Sequence, residues 1–187
     1  MMLSQEDRGL CRLFAEMLDY PDSSLPGKAE GFARQLAQAH PEIAGPVQSF
    51  AAFLKSQEEA GTLEELFTQT FDITPATTLY FGYHLFGETP KRSVFLVRLQ
   101  EAYEGCSFSR GTELADHLGV ILRFLSVAED AEFGYPLLEE CLLPTLTQME
   151  KELKKSDSMY ALVIGPLRSF LQHIARKSVK TGGVLHA

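Results

Sequence analysis

Long apolar runs, paired cysteines and an excess of cations are all missing from this 187-residue chain. No stretch supplies the roughly 18 uninterrupted apolar residues of a membrane-spanning helix. The N-terminus, MMLSQEDRGL, brings charge before any apolar run of signal-peptide length. A cytoplasmic chain without membrane insertion is therefore expected. Cys11, Cys106 and Cys141 are odd in number, far apart and without CxxC or Cys/His spacing, which argues against structural disulfides and zinc. Lys and Arg total 17 against 25 for Asp and Glu, a formal charge of −8. Such a surface repels the phosphates that dominate nucleic-acid affinity, so nucleic acid is not an expected partner, whereas a cationic peptide is compatible.

Catalytic signatures are missing as well. Neither GxxxxGK[ST] nor GxGxxG occurs, which removes the two commonest nucleotide-binding loops. His84, His117 and His173 have no Glu three residues before them, as a helical-bundle di-metal site would need. No GxSxG elbow is present, and no serine or cysteine stands beside a visible base. The expectation is no cofactor, no metal and no catalytic set.

What the chain does have is helical periodicity. Leu10, Leu13, Phe14, Met17 and Leu18 recur at spacings of three and four, with Ser4 and Asp7 in a capping arrangement that predicts a first helix over about Ser4–Leu18. Helices follow around Phe32 and Leu36 and through Val47, Phe50, Phe53 and Leu54, with Pro41, Gly45 and Pro46 read as the loop between them. Thr62 and Glu65 have capping-box spacing before Leu63, Leu66 and Phe67. Gly87 then closes an aromatic run, and Thr89-Pro90 opens a helix that buries Phe95, Leu99, Ala102 and Tyr103 and ends at Gly105. Residues 106–112 are the expected surface loop. Later apolar stripes run through Leu114–Leu125, through Leu137–Leu153 with a break at Pro144, and from about Ser158 to Lys177. No strand-period alternation persists. The expected fold is all-α, a single-domain helical bundle over residues 1–187 with roughly eight to ten helices and a frayed tail at 181–187.

Two passages carry the functional signal. TFDITPATTLYFGYHLFGE sets Phe71, Leu79, Tyr80, Phe81, Tyr83, Leu85 and Phe86 within sixteen residues. ELADHLGVILRFL places Glu113, Asp116 and His117 ahead of an apolar stripe, where spacings of three and four would put carboxylates and an imidazole on one helix face. Aromatic walls beside acids suit a ligand that is both apolar and cationic. Tyr80, Tyr83 and His84 are the better functional candidates because their polar tips favour partly wet sites, while Phe71 and Leu85 suit the core. The plain alternative is that the rings are core, that Glu113 and Asp116 favour a helix N-terminus, and that His117 bonds a backbone carbonyl. Lys91 and Arg92 read as a solvated helix face.

These strings, together with MLDYPDSSL at Met17–Leu25, LEELF at Leu63–Phe67 and LVRLQEAYEGCSF at Leu96–Phe108, resemble the respiratory nitrate reductase delta-subunit family. These are the NarJ-type molybdenum-cofactor assembly chaperones within the TorD-like redox-enzyme maturation class. The matching strings run in the expected order from residue 17 to residue 129. The resemblance implies an all-helical chaperone, not an enzyme. Its implied partner is the catalytic subunit of a molybdoenzyme, nitrate reductase first, bound through its N-terminal segment before cofactor insertion. It implies a client-binding role for Asp116 and His117, extended to Glu113, and groove positions at Tyr80, Tyr83, His84 and Phe86. The sequence departs from the family pattern in three places: Gly119 follows Asp116-His117-Leu118 where proline is usual, Ala115 replaces a proline, and Arg92-Ser93 stands for an arginine-glycine step. Two rival expectations remain, a small acid-base enzyme using His117 with Asp116 and a permanent structural subunit. Protonation of His117 near neutral pH is a further expectation, as a trigger of client release.

Overall fold

The computed structural model describes residues 3–57, 59–128 and 131–182. Helix α1, Gln5–Glu16, starts where the capping pattern places it. The Ser4 hydroxyl accepts the Asp7 N–H at 3.0 Å, and the Asp7 carboxylate reaches back to the Ser4 N–H at 3.4 Å. Leu10, Cys11, Phe14 and Ala15 form its buried stripe. Helices α2, Leu25–Ala39, and α3, Pro41–Ser56, pack against each other and are joined by His40 alone. The loop expected over Pro41, Gly45 and Pro46 is therefore a helix start. Pro41 is the first residue of α3, where its missing N–H would have had no intrahelical partner. Pro46 costs one further bond early in the helix, and burial of Ala44, Val47, Phe50, Ala51 and Leu54 outweighs it.

Helix α4, Ala60–Phe67, begins after extended Glu59, whose carbonyl accepts the Thr62 N–H. Thr62 lies inside the helix and not at its cap. A wider π turn, Thr68–Asp72, and a 3₁₀ turn, Pro75–Thr77, lead to an extended step and the short helix α5, Phe81–Phe86. Gly87 ends α5 with φ +61°, a conformation that needs glycine. Pro90 opens α6, Pro90–Gly105, as expected, and a loop leads to α7, Leu118–Leu125. Helix α8, Ala131–Pro136, runs through a π segment, Leu137–Leu142, into α9, Leu143–Lys155. Pro144 does not split this element. It sits at the second position of α9, just past the π segment, where local rewinding absorbs the missing donor.

Helix α10, Ala161–Gly182, packs against α3 and α9. It carries Phe170 to Phe14, with ring centres 5.5 Å apart. Tyr160 gathers Phe50, Phe67 and Phe71 around it. Among the described residues the structure is helical, with one isolated antiparallel bridge, Tyr80 to His117. Residues 183–187, the end of the tail expected to fray, lie outside the described residues.

Candidate functional site

The two signal-bearing passages meet backbone to backbone. Phe81 N–H donates to the Asp116 carbonyl and Leu118 N–H donates to the Leu79 carbonyl, each at 2.8 Å. This pairs Tyr80 with His117, whose rings lie 5.4 Å apart, edge to face. Because residues 116–118 give their backbone groups to this pairing, helix α7 cannot begin before Leu118. Glu113, Asp116 and His117 therefore do not share a helix face, as their spacing suggested. Leu114, expected on the stripe, is exposed. The Tyr103 hydroxyl donates to the Ala115 carbonyl at 2.7 Å, and Arg110 to the Glu113 carbonyl, which holds the non-helical 113–117 segment in place.

His117 is the N-cap of α7. Its Nδ1 accepts the Gly119 N–H at 3.2 Å, so the ring bonds a backbone donor and not the carbonyl expected. Burial lowers its pKa, against the upward pull of Glu113 and Asp19. The neutral ring is what this contact requires.

Asp116 is 0% exposed. Its Oδ2 accepts the Gly82 N–H at 3.1 Å and the Arg92 Nε–H at 2.9 Å, while Oδ1 is buried without a hydrogen-bond partner among the described residues. An acid placed this way cannot face a ligand's cations across a surface. Gly82 is glycine because a Cβ there would lie 2.6 Å from Asp116 Oδ2. Arg92 is thus no solvated residue; Lys91 beside it is exposed, as expected.

Two adjoining cavities flank Tyr80. One, of about 240 Å³, is lined by Tyr20, Phe67, Tyr80, Glu113, His117 and Arg123, among others. The second, of about 220 Å³, is lined by Asp72, Thr78, Tyr80, Tyr83, Glu88 and Arg92, with Pro75. Asp72 and Tyr80 belong to both, so the two form one cleft with a tyrosine partition. The Tyr80 hydroxyl donates to Glu113 at 3.1 Å, and burial, then the Glu113 charge, raises the phenol's pKa. Around the cleft stand Asp19, Asp72, Glu88 and Glu113 against Arg92 and Arg123, and those two cations are already paired with Asp116 and Asp19. The cleft is aromatic and net acidic.

Of the residues singled out from the sequence, Tyr80, Tyr83, Glu113 and His117 line this cleft. Asp116 lies beneath it. His84 donates from Nε2 to the Thr78 carbonyl at 2.7 Å, and burial lowers its pKa. Phe86 packs on Phe95 with ring centres 5.5 Å apart. Neither lines the cleft; both brace α5. Leu85, expected in the core, is only half-buried, whereas Phe71 is fully buried.

Sequence reasoning missed Asp19, Tyr20, Asp72, Glu88, Arg92 and Arg123. Asp19-Tyr20 lies within MLDYPDSSL, and Asp72 and Glu88 lie within the aromatic passage, so those strings held a signal that spacing did not decode. Arg123 had none; its ion pair with Asp19, at 2.5 Å, joins positions 104 residues apart.

Asp116 and His117 do not converge on one polar pocket, because the first is sealed and the second faces the cleft. The acid-base pairing expected of a small enzyme loses its geometric basis. Among the described residues no cluster of His, Cys, Asp and Glu is arranged to hold a metal ion. No helix there is long and apolar enough to cross a membrane.

Comparison with known proteins adds a second line of evidence. Residues 36–151 match the family model described as nitrate reductase delta subunit. A Bacillus subtilis (strain 168) protein named as the nitrate reductase molybdenum cofactor assembly chaperone NarJ is 31% identical over 123 residues, 65% of this chain and 66% of that protein. The Escherichia coli (strain K12) chaperone of the same name is 24% identical over 154 residues, 81% of this chain and 64% of that one. The chain thus spans just under two thirds of the length of these relatives. A crystal structure of a protein named as a redox enzyme maturation protein from Archaeoglobus fulgidus superposes with a TM-score of 0.62 at 21% identity, covering 92% of this chain and 97% of that one. That likeness supports the helical fold.

Proposed function

The chain belongs to the nitrate reductase delta subunit family, and on that premise we propose that it is an assembly chaperone for a molybdenum-containing nitrate reductase. It binds the N-terminal segment of the catalytic subunit before the molybdenum cofactor is inserted, and it catalyses no reaction itself. The observation that carries this reading is the cleft at Tyr80, which combines aromatic walls with an excess of acid.

An amphipathic segment with basic side chains matches both features. Its apolar face packs on Phe67, Tyr20, Tyr80 and Tyr83, and its cations meet Asp19, Asp72, Glu88 and Glu113. Burial supplies most of the affinity. Exposed charge pairs, worth about 0–1 kcal/mol each, mainly set orientation and encounter rate. A permanent structural subunit would co-purify with the mature enzyme.

The test is calorimetric titration of the chain with an N-terminal peptide of a nitrate reductase catalytic subunit. One-to-one binding is expected, weakened by Tyr83→Ala by roughly tenfold or more, as for a truncated aromatic anchor. Absence of binding, with the protein folded, would reject recognition of this segment.

A further inference from the structure

Arg92 holds an electrostatically awkward position. It is the third residue of α6, close to the positive end of the helix dipole, where cations are disfavoured. It is kept there by Asp116 through Nε, and its guanidinium carbon lies 5.9 Å from the centre of the Tyr80 ring. Its side chain is still 20% exposed and lines the cleft beside Tyr83. The contact with Asp116 occupies only Nε; the two Nη groups make no hydrogen bond to a described residue. Nε alone serves the buried carboxylate, which leaves the rest of the guanidinium free of it. A rigid fork laid by an aromatic ring, with its Nη donors unused at a cleft wall, is suited to a second task.

We propose that Arg92 contacts the bound segment directly, its Nη groups donating to main-chain carbonyl oxygens, and that Asp116 and Gly82 are positioning residues that hold the fork. The assignment rests on the reading that the cleft holds a client segment. A carbonyl is the acceptor that fits, because Asp72 and Glu88 line the same cavity and would repel a carboxylate. The last turn of a short helix supplies such acceptors, since its final carbonyls lack intrahelical partners and carry the negative end of its dipole. The bound segment then lies with the C-terminal end of its helix at Arg92.

The experiment titrates the full chain with a C-terminally amidated N-terminal peptide of a nitrate reductase catalytic subunit. Wild type is compared with Arg92→Lys, with Asp116→Asn, and with the Arg92→Gln/Asp116→Asn double variant. Arg92→Lys keeps a cation for Asp116 but loses the fork, and is expected to weaken binding about tenfold or more while the circular dichroism stays that of the folded wild type. The double variant removes both members of the ion pair, avoids an orphaned carboxylate, and is expected to show a similar loss. Asp116→Asn alone, which retains Arg92, should lose less. Changing each acid of the peptide to its amide should leave wild-type affinity unchanged, whereas removing the peptide's last helical turn should weaken wild type but not Arg92→Lys. Binding by Arg92→Lys within about twofold of wild type would overturn the assignment. So would an acid-to-amide loss seen in wild type and absent in Arg92→Lys, which would transfer the contact to a carboxylate. A peptide that binds no variant, wild type included, rejects the client reading and the assignment with it.

Discussion

Two regions of the molecule set a buried carboxylate against a glycine and an arginine, and they resolve the resulting charge differently. At the α9–α10 contact, Glu150 gives Oε1 to Lys154 and Oε2 to Arg168, each at 2.6 Å, so both oxygens are satisfied. Near the cleft, Asp116 gives only Oδ2, to Gly82 and Arg92, and leaves Oδ1 buried without a partner among the described residues. Glu150 lies between two long helices and keeps a partly wet tip; Asp116 ties a loop, α5 and α6 together with no exposure at all. A carboxylate, a glycine and an arginine make a redundant brace where Lys154 joins them and a single-point junction where no second cation does. The teaching is that a junction lacking redundancy sits where the two functional passages meet.

The largest expected effect separates the two directly. Arg92→Ala leaves Asp116 an uncompensated buried charge and should cost about 3–5 kcal/mol in urea unfolding, most of it restored in an Asp116→Asn background. Arg168→Ala, with Lys154 still on Glu150, should cost about 1–2 kcal/mol. Equal losses would erase the distinction.

A smaller effect compares the glycines. An added Cβ at Gly82 meets the sealed Asp116 carboxylate at 2.6 Å, and also Arg92 Cγ at 3.0 Å and Phe95 at 3.2 Å. Gly82→Ala should cost about 1–3 kcal/mol. At Gly165 the added atom meets only the Glu150 side chain, at 2.9 Å for its nearest oxygen, and that chain is long enough to move. The gain of about 1 kcal/mol for alanine over glycine in a helix offsets the shift, so Gly165→Ala should leave the unfolding midpoint near wild type.

The smallest effects are in pH dependence. Burial pushes the Glu150 pKa up, but the hydrogen bonds and charges of Lys154 and Arg168 together outweigh it and hold the carboxyl below its ordinary value. The unfolded chain then binds the proton more readily, so this stability is present above the ordinary glutamate pKa of about 4.3 and is lost as pH falls through the lower folded value. Glu150→Gln should flatten the acid limb of the thermal midpoint measured against pH. His117, whose folded pKa burial has lowered, has the same sign in a different window. Its contribution is complete above the unfolded value of about 6.5 and is lost as pH falls below it. Peptide affinity should therefore be flat above about pH 6.5 and change only below it; a transition at neutral pH or above would contradict this placement.

The regular half of the fold was legible because helical periodicity acts locally. The stripes of α1, α7 and α10, the Ser4–Asp7 cap, and the Gly87 and Pro90 boundaries all follow from residues a turn or two apart. Reading failed where long-range burial overrode a local breaker, as at Pro46, and where a π segment absorbed one, as at Pro144. It failed again where a tertiary backbone pairing displaced a helix start, as at residues 113–117. At the site, the aromatic passage pointed to Tyr80 and Tyr83, and the acidic string to Glu113 and His117. The resemblance gave Asp116 a client-facing role and the position after Pro90 read Arg92 as solvated, because nothing local to either records that they face each other 24 residues apart.

The sequence alone determined that this chain is helical, where most of its helices run, and that two motifs deserve functional weight, since composition, periodicity and short strings are written along the chain. Which side chains meet at the cleft, and which acid is sealed beneath it, followed from the packing of the helices. Burial and charge pairing depend on distances in space, and Asp19 with Arg123, or Asp116 with Gly82 and Arg92, become neighbours only once the helices have packed.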